Sequence, residues 1–106
     1  MLESIMKLFG YKPTDYADLM QRGAIIVDVR TKGEFSGGHI RGSLNIPLDR
    51  LDSEMKKLKK DKPVITCCAS GMRSSSAKGM LQSKGFEVVN GGSWHGLQEK
   101  LFKINH

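Results

Sequence analysis

The chain has 106 residues, with 17 Lys and Arg against 11 Asp and Glu, a formal net charge of +6 and 39% hydrophobic residues. A globule of this length buries about two-thirds of its unfolded surface around one core, which excludes a two-domain protein and leaves a single domain over 1–106. No apolar run approaches the roughly 18 residues that cross a bilayer, no leader pattern opens the chain, and the two cysteines are adjacent and staple nothing; the expectation is a cytoplasmic protein without a membrane partner.

Leu2, Ile5, Met6, Leu8 and Phe9 make residues 1–11 an extension or a short amphipathic helix. Thr14 is a suitable N-cap for a helix to about Arg22, with Tyr16, Leu19 and Met20 as its apolar side and Gly23 as its stop. Residues 24–29 are a β-branched run broken by one carboxylate, Asp28, as in a strand covered on both faces. Gly37, Gly38 and Gly42 mark a loop, residues 43–46 read as a short strand, and Pro47 opens a helix carrying Leu48, Leu51, Met55 and Leu58. Lys56, Lys57, Lys59, Lys60 and Lys62 form the solvated side of that helix. They lack the interleaved aromatics on which bases stack, so no nucleic-acid partner is expected.

Residues 63–67 are the next strand, 68–74 a polar loop, and about 74–83 a helix ended by Gly85. A strand over 86–90, a turn at Gly91 and Gly92, and a Ser93-capped helix from Trp94 to about Lys103 complete an α/β pattern with a mostly parallel sheet. In such sheets ligands bind beyond the carboxyl ends of strands, which is where Cys68 falls. The backbone N–H groups of Ala69, Ser70, Gly71, Met72 and Arg73 can curl around an anion above the positive end of the following helix. Ser74 adds a hydroxyl, and such a cradle favours a thiolate nucleophile.

These residues resemble the rhodanese-like domains over about 12–100. The pieces stand in family order: Asp28-Val29-Arg30 with Glu34-Phe35, Gly38-His39-Ile40 with Gly42, Asn45-Ile46-Pro47, the run from Cys68 to Ser74, and Gly91-Gly92 with Trp94. The resemblance implies a single-domain sulfurtransferase with helices on both faces of the sheet. Cys68 would take sulfane sulfur from thiosulfate, glutathione persulfide or polysulfide, hold it as a persulfide stabilised by the amides of residues 69–73 and by Arg73, and pass it to a thiol or thioredoxin-like acceptor. It implies no metal and no organic cofactor, and a monomer or weak dimer.

Two departures from the family pattern matter. Counted from Cys67, the loop to Arg73 has the length used by related phosphatases and arsenate reductases, although Thr66 stands where those phosphatases commonly have histidine. Counted from Cys68, it has the sulfurtransferase length; a non-catalytic interaction module is the third alternative. The loop also carries no basic residue besides Arg73, which favours a persulfide donor over thiosulfate, with Met72 within reach of that donor. Asp28 and Arg30 read as a buried pair on the Cys68 edge, with tuning of Cys68 as their functional alternative. His39 reads as a structural or capping histidine, and Trp94 as packing under the last helix.

Overall fold

In the computed structural model, which describes residues 13–104, the apolar run after Gly23 forms strand β1 (Ile25–Asp28). The N-terminal helix considered for 1–11 lies outside the described residues. Helix α1 (Tyr16–Gln21) precedes β1 and is capped by Asp15 rather than Thr14: Asp15 Oδ1 accepts from the Asp18 N–H at 3.0 Å. A carboxylate at that position both satisfies a free amide and complements the helix dipole, so it displaces the neighbouring threonine. A five-residue helix, α2 (Lys32–Ser36), follows β1, in a stretch to which the sequence reading assigned no element. Its origin is a reciprocal cap in which Thr31 Oγ1 accepts from Glu34 N–H and Glu34 Oε1 accepts from Thr31 N–H.

Strand β2 (Leu44–Asn45) leads into a segment expected as one helix. It is instead a 3₁₀ turn (Leu48–Arg50), a single α-turn, α3 (Leu51–Glu54), and a second 3₁₀ turn (Met55–Lys57). None of these starts has a side-chain cap, and the segment is held by burial of Leu51, Met55 and Leu58. Lys56, Lys57, Lys59 and Lys60 face solvent. Strand β3 (Val64–Cys68) is buried throughout, α4 (Met72–Ser83) begins two residues earlier than expected, β4 spans Val88–Ser93, and α5 spans Trp94–Ile104.

The strands are all parallel in the order β2-β1-β3-β4. The chain runs outward from β1 to β2 and then crosses back to β3, so the connections leave the β1–β3 boundary in opposite directions. A crevice therefore opens at the carboxyl ends of β1 and β3. Alternation along the strands divides the core. Val27, Val29, Val64 and Cys68 pack with Leu51, Ala77 and Leu81 on the face covered by α3 and α4. Ile26, Ile65 and Cys67 pack with Leu19 and Leu97 on the face covered by α1 and α5.

Gly91 and Gly92 do not turn the chain but lie inside β4, where the register slips. Thr66 pairs with Asn90 and Cys68 with Ser93, two steps on β3 against three on β4. Gly91 is there because nothing larger fits: a Cβ would stand 2.8 Å from both the Thr66 carbonyl oxygen and Leu97 Cδ2. Ser93 caps α5 as expected, its Oγ accepting from the Gly96 N–H at 3.1 Å.

Candidate active site

Because successive strand residues point to opposite faces, the two adjacent cysteines have different surroundings. Cys68 turns towards the amino end of α4. Cys67 turns towards α5 and stands in register with Asp28 of β1. Both are fully buried and neither is in a disulfide.

Around Cys68 the loop closes in a single tight turn. Gly71, the N-cap of α4, adopts φ +101°, a left-handed conformation that favours glycine, and aims its N–H at Cys68 Sγ over 2.9 Å. The Ser74 N–H donates to the same sulfur at 3.4 Å, and Ser74 Oγ lies 3.4 Å from it. Burial on its own raises the thiol pKa. The Ser74 hydroxyl and the amides of Ser74, Gly71 and Ser70 outweigh it and hold Cys68 below the ordinary thiol value. Cys67 goes the other way: burial first, then the Asp28 carboxylate, pushes its pKa up to about 12. Of the two sulfurs, Cys68 is thus the better suited to nucleophilic attack. The longer-loop reading based on Cys67 finds that thiol on the wrong face.

Ala69, Ser70 and Met72 are exposed along the outer rim, Met72 at 79%. Arg73 does not fold over the loop. Its guanidinium grips Glu34 in a two-pronged pair, Nη1 to Oε1 at 2.7 Å and Nη2 to Oε2 at 3.0 Å, joining the start of α4 to α2. That pairing, with the Thr31 amide, holds the Glu34 carboxyl down at about 2.

Asp28 and Arg30 lie on the carboxyl edge of the sheet but beside Cys67 rather than Cys68. Arg30 Nη2 reaches Asp28 Oδ2 at 2.8 Å and the Gly38 carbonyl at 2.7 Å, and its guanidinium sits 4.8 Å from the centre of the Trp94 ring. Asn45 Nδ2 donates to the carbonyls of Asp28 and Arg30. This network ties the β1 end, the glycine loop and α5 together. His39 Nδ1 donates to the Phe35 carbonyl at 2.7 Å, and its ring stacks on the Phe35 ring.

Two contributors escaped the sequence reading. Glu34 was legible from the Thr31-x-x-Glu34 cap pattern. Asn90 carried no local signal. Its Oδ1 accepts from Ser74 Oγ at 2.7 Å and from the Gly92 N–H at 2.9 Å, while its Nδ2 donates to the Gly71 carbonyl at 3.4 Å, so it joins the β4 bulge to the loop. Among the described residues no group of His, Cys, Asp and Glu is arranged to hold a metal ion, and no helix is long and apolar enough to cross a membrane.

Comparison with known proteins bears on the fold and the family. The chain is 42% identical to the uncharacterized protein YqhL of Bacillus subtilis over 70 residues, 65% of this chain and 56% of YqhL, so it spans little more than half of that relative. It is 33% identical to thiosulfate sulfurtransferase GlpE of Pseudomonas fluorescens over 85 residues, 79% of this chain and 78% of that protein. The crystal structure of a rhodanese-related protein from Thermoplasma volcanium superposes with a TM-score of 0.70 at 32% identity, covering 85% of this chain and 93% of that one. With the profile of the Rhodanese-like domain matching residues 12–100, the chain belongs to the rhodanese-like domain family.

Proposed function

We propose that this chain is a sulfurtransferase in which Cys68 carries sulfane sulfur as a persulfide. The observation that carries the reading is the Cys68 sulfur itself, held at the head of the twelve-residue helix α4 by the N–H groups of Gly71 and Ser74. Such an arrangement stabilises a thiolate before reaction and the terminal sulfur anion after it. The 33% identity to a protein named thiosulfate sulfurtransferase supports the same reaction class.

In the first step the Cys68 thiolate attacks the outer sulfur of the donor. With thiosulfate the sulfur–sulfur bond breaks and sulfite leaves with its electron pair; with a persulfide R–S–S–H a thiolate R–S⁻ leaves. In the second step a thiol or thioredoxin-like acceptor attacks the terminal sulfur and Cys68 returns as thiolate. No net oxidant is consumed, and neither step calls on a metal. Arg73, tied to Glu34, braces the loop at the rim, and the amides supply the stabilisation of charge. The uncharged rim at Ala69, Ser70 and Met72 favours a persulfide donor over inorganic thiosulfate. A nucleophile that must stay reduced suits a reducing compartment such as the cytoplasm.

The test is to incubate the reduced chain with thiosulfate or glutathione persulfide and weigh the intact protein. A one-sulfur gain that survives Cys67→Ser and disappears in Cys68→Ser is the expected result. A gain lost in Cys67→Ser, or hydrolysis of a phosphate ester without any sulfur gain, overturns the assignment.

A further inference from the structure

At the amino ends of β3 and β4, the opposite end of the sheet from the Cys68 loop, an open cavity of about 640 Å³ lies between α3 and α4. Its floor is Met55, Leu58 and Phe86. These keep 6–7% exposure where Leu51, Val64, Ala77 and Leu81 of the same cluster have none, so the core comes to the surface here. Three exposed lysines from three segments stand round it. Lys56 comes from the 3₁₀ turn after α3, Lys60 from the approach to β3, and Lys84 from the carboxyl end of α4.

Lys60 Nζ lies 5.6 Å from the centre of the Phe86 ring, so its charge is drawn over the floor. Neighbouring Lys57 is engaged with Glu54, but among the described residues Lys56, Lys60 and Lys84 enter no ion pair, and neither does Asp52, the one carboxylate in the lining. The cavity thus joins an apolar floor to an excess of positive charge. An exposed ammonium–carboxylate pair is weak by itself, so a lone small acid gains little there, whereas several carboxylates on one chain act together. Lysines are point charges on flexible stems and impose no fixed geometry, which suits a flexible chain. Phe86 is too deeply set to stack on a base, and no other aromatic lines the cavity. Of the exposed large apolar residues, Met20, Leu44, Met72, Phe102 and Ile104, none lines it, so nothing there enters a lipid layer.

We propose that this cavity docks an acidic, flexible segment of a protein partner. Carboxylates of the segment pair with Lys56, Lys60 and Lys84, and one of its apolar side chains covers Met55, Leu58 and Phe86. Val64 and Cys68 are four strand steps apart, about 13 Å, so a partner held at the amino edge leaves the Cys68 loop open. The surface recruits without entering the reaction, and the proposal does not depend on what Cys68 carries.

The test is to titrate a synthetic peptide of glutamates flanking one phenylalanine into the full-length protein at low salt and follow backbone amides by NMR. Shifts at residues 55–60 and 84–86, with residues 68–74 unmoved, are expected. Reversing one charge removes an attraction and adds a repulsion, so Lys60→Glu and Lys84→Glu should each lower the affinity about tenfold. Lys103→Glu, the same change of charge on α5 across the sheet, leaves it unchanged. Replacing the peptide's phenylalanine by alanine weakens binding without any change to the protein. No shifts at millimolar peptide, or equal weakening by Lys103→Glu, overturn the proposal. So does an alanine peptide that binds as well as the phenylalanine one. Tighter binding at the same residues by a single-stranded oligonucleotide or by phosphatidylglycerol vesicles overturns it in favour of nucleic acid or a lipid surface.

Discussion

A thiol attacks as its anion, so the chemistry at the scale of one residue turns on what donates to sulfur. Ser74 has a single hydroxyl proton and, once Cys68 is a thiolate, three acceptors within reach: Cys68 Sγ at 3.4 Å, Asn90 Oδ1 at 2.7 Å and the Gly71 carbonyl at 3.1 Å. A stronger acceptor at position 90 keeps that proton from the sulfur and adds a negative charge beside it. Asn90→Asp is therefore expected to raise the Cys68 pKa, moving the midpoint of the pH dependence of Cys68 alkylation upward; an unchanged or lowered midpoint refutes this role. Cys68 was legible in the sequence because it stands between a buried strand and a glycine-containing loop. Asn90 was not, because its partners Ser74 and Gly71 are separated from it by the whole of α4.

At the scale of elements, the site depends on two braces that lie outside the loop. The first is the β1 end. Arg30 compensates the Asp28 carboxylate at full burial, and Arg30→Leu leaves that carboxylate buried without its partner at a cost of about 3–5 kcal/mol. Since the pair faces Cys67, denaturant unfolding should report this loss while the alkylation midpoint of Cys68 in the folded variant stays where it was. A shifted midpoint would restore the tuning role considered for Asp28 and Arg30. The second brace is β4. At Gly91 an added methyl meets the Thr66 carbonyl and Leu97, so Gly91→Ala is expected to lower stability by about 1–3 kcal/mol in the same measurement. The paired glycines signalled an irregular backbone in the sequence, but turn and bulge share that signal. Only the register of β4 against β3 separates them.

At the scale of the whole molecule, the two thiols couple stability to pH with opposite signs. Cys68 is depressed in the folded state, so it contributes stability that is full above the ordinary thiol value of 9.0 and is lost as pH falls through its folded pKa. Cys67 is raised to about 12, so its contribution is full below 9.0 and is lost as pH rises towards 12, where the unfolded chain sheds a proton that the folded chain retains. Unfolding free energy measured from pH 7 to 11 should fall above about 9. The fall should be shallower in Cys67→Ala, and the rise on approaching 9 should be smaller in Cys68→Ser. A Cys67→Ala curve parallel to wild type refutes the opposed coupling.

The order of apolar runs and glycine stops determined the α/β class, the four strands and the position of Cys68 at a strand end, because burial and backbone freedom act locally and leave their mark within a few residues. Thr31 and Glu34 likewise recorded α2 in the sequence, three residues apart. What the tertiary structure decided is everything that depends on facing. Strand alternation around the β1–β3 crevice turned Cys68 towards the amides of α4 and Cys67 towards Asp28. The approach of α2 to α4 gave Arg73 to Glu34. The β4 bulge brought Asn90 under Ser74. Such contacts join residues far apart in the chain, and their geometry is set by how the sheet and helices pack rather than by the spacing of any motif.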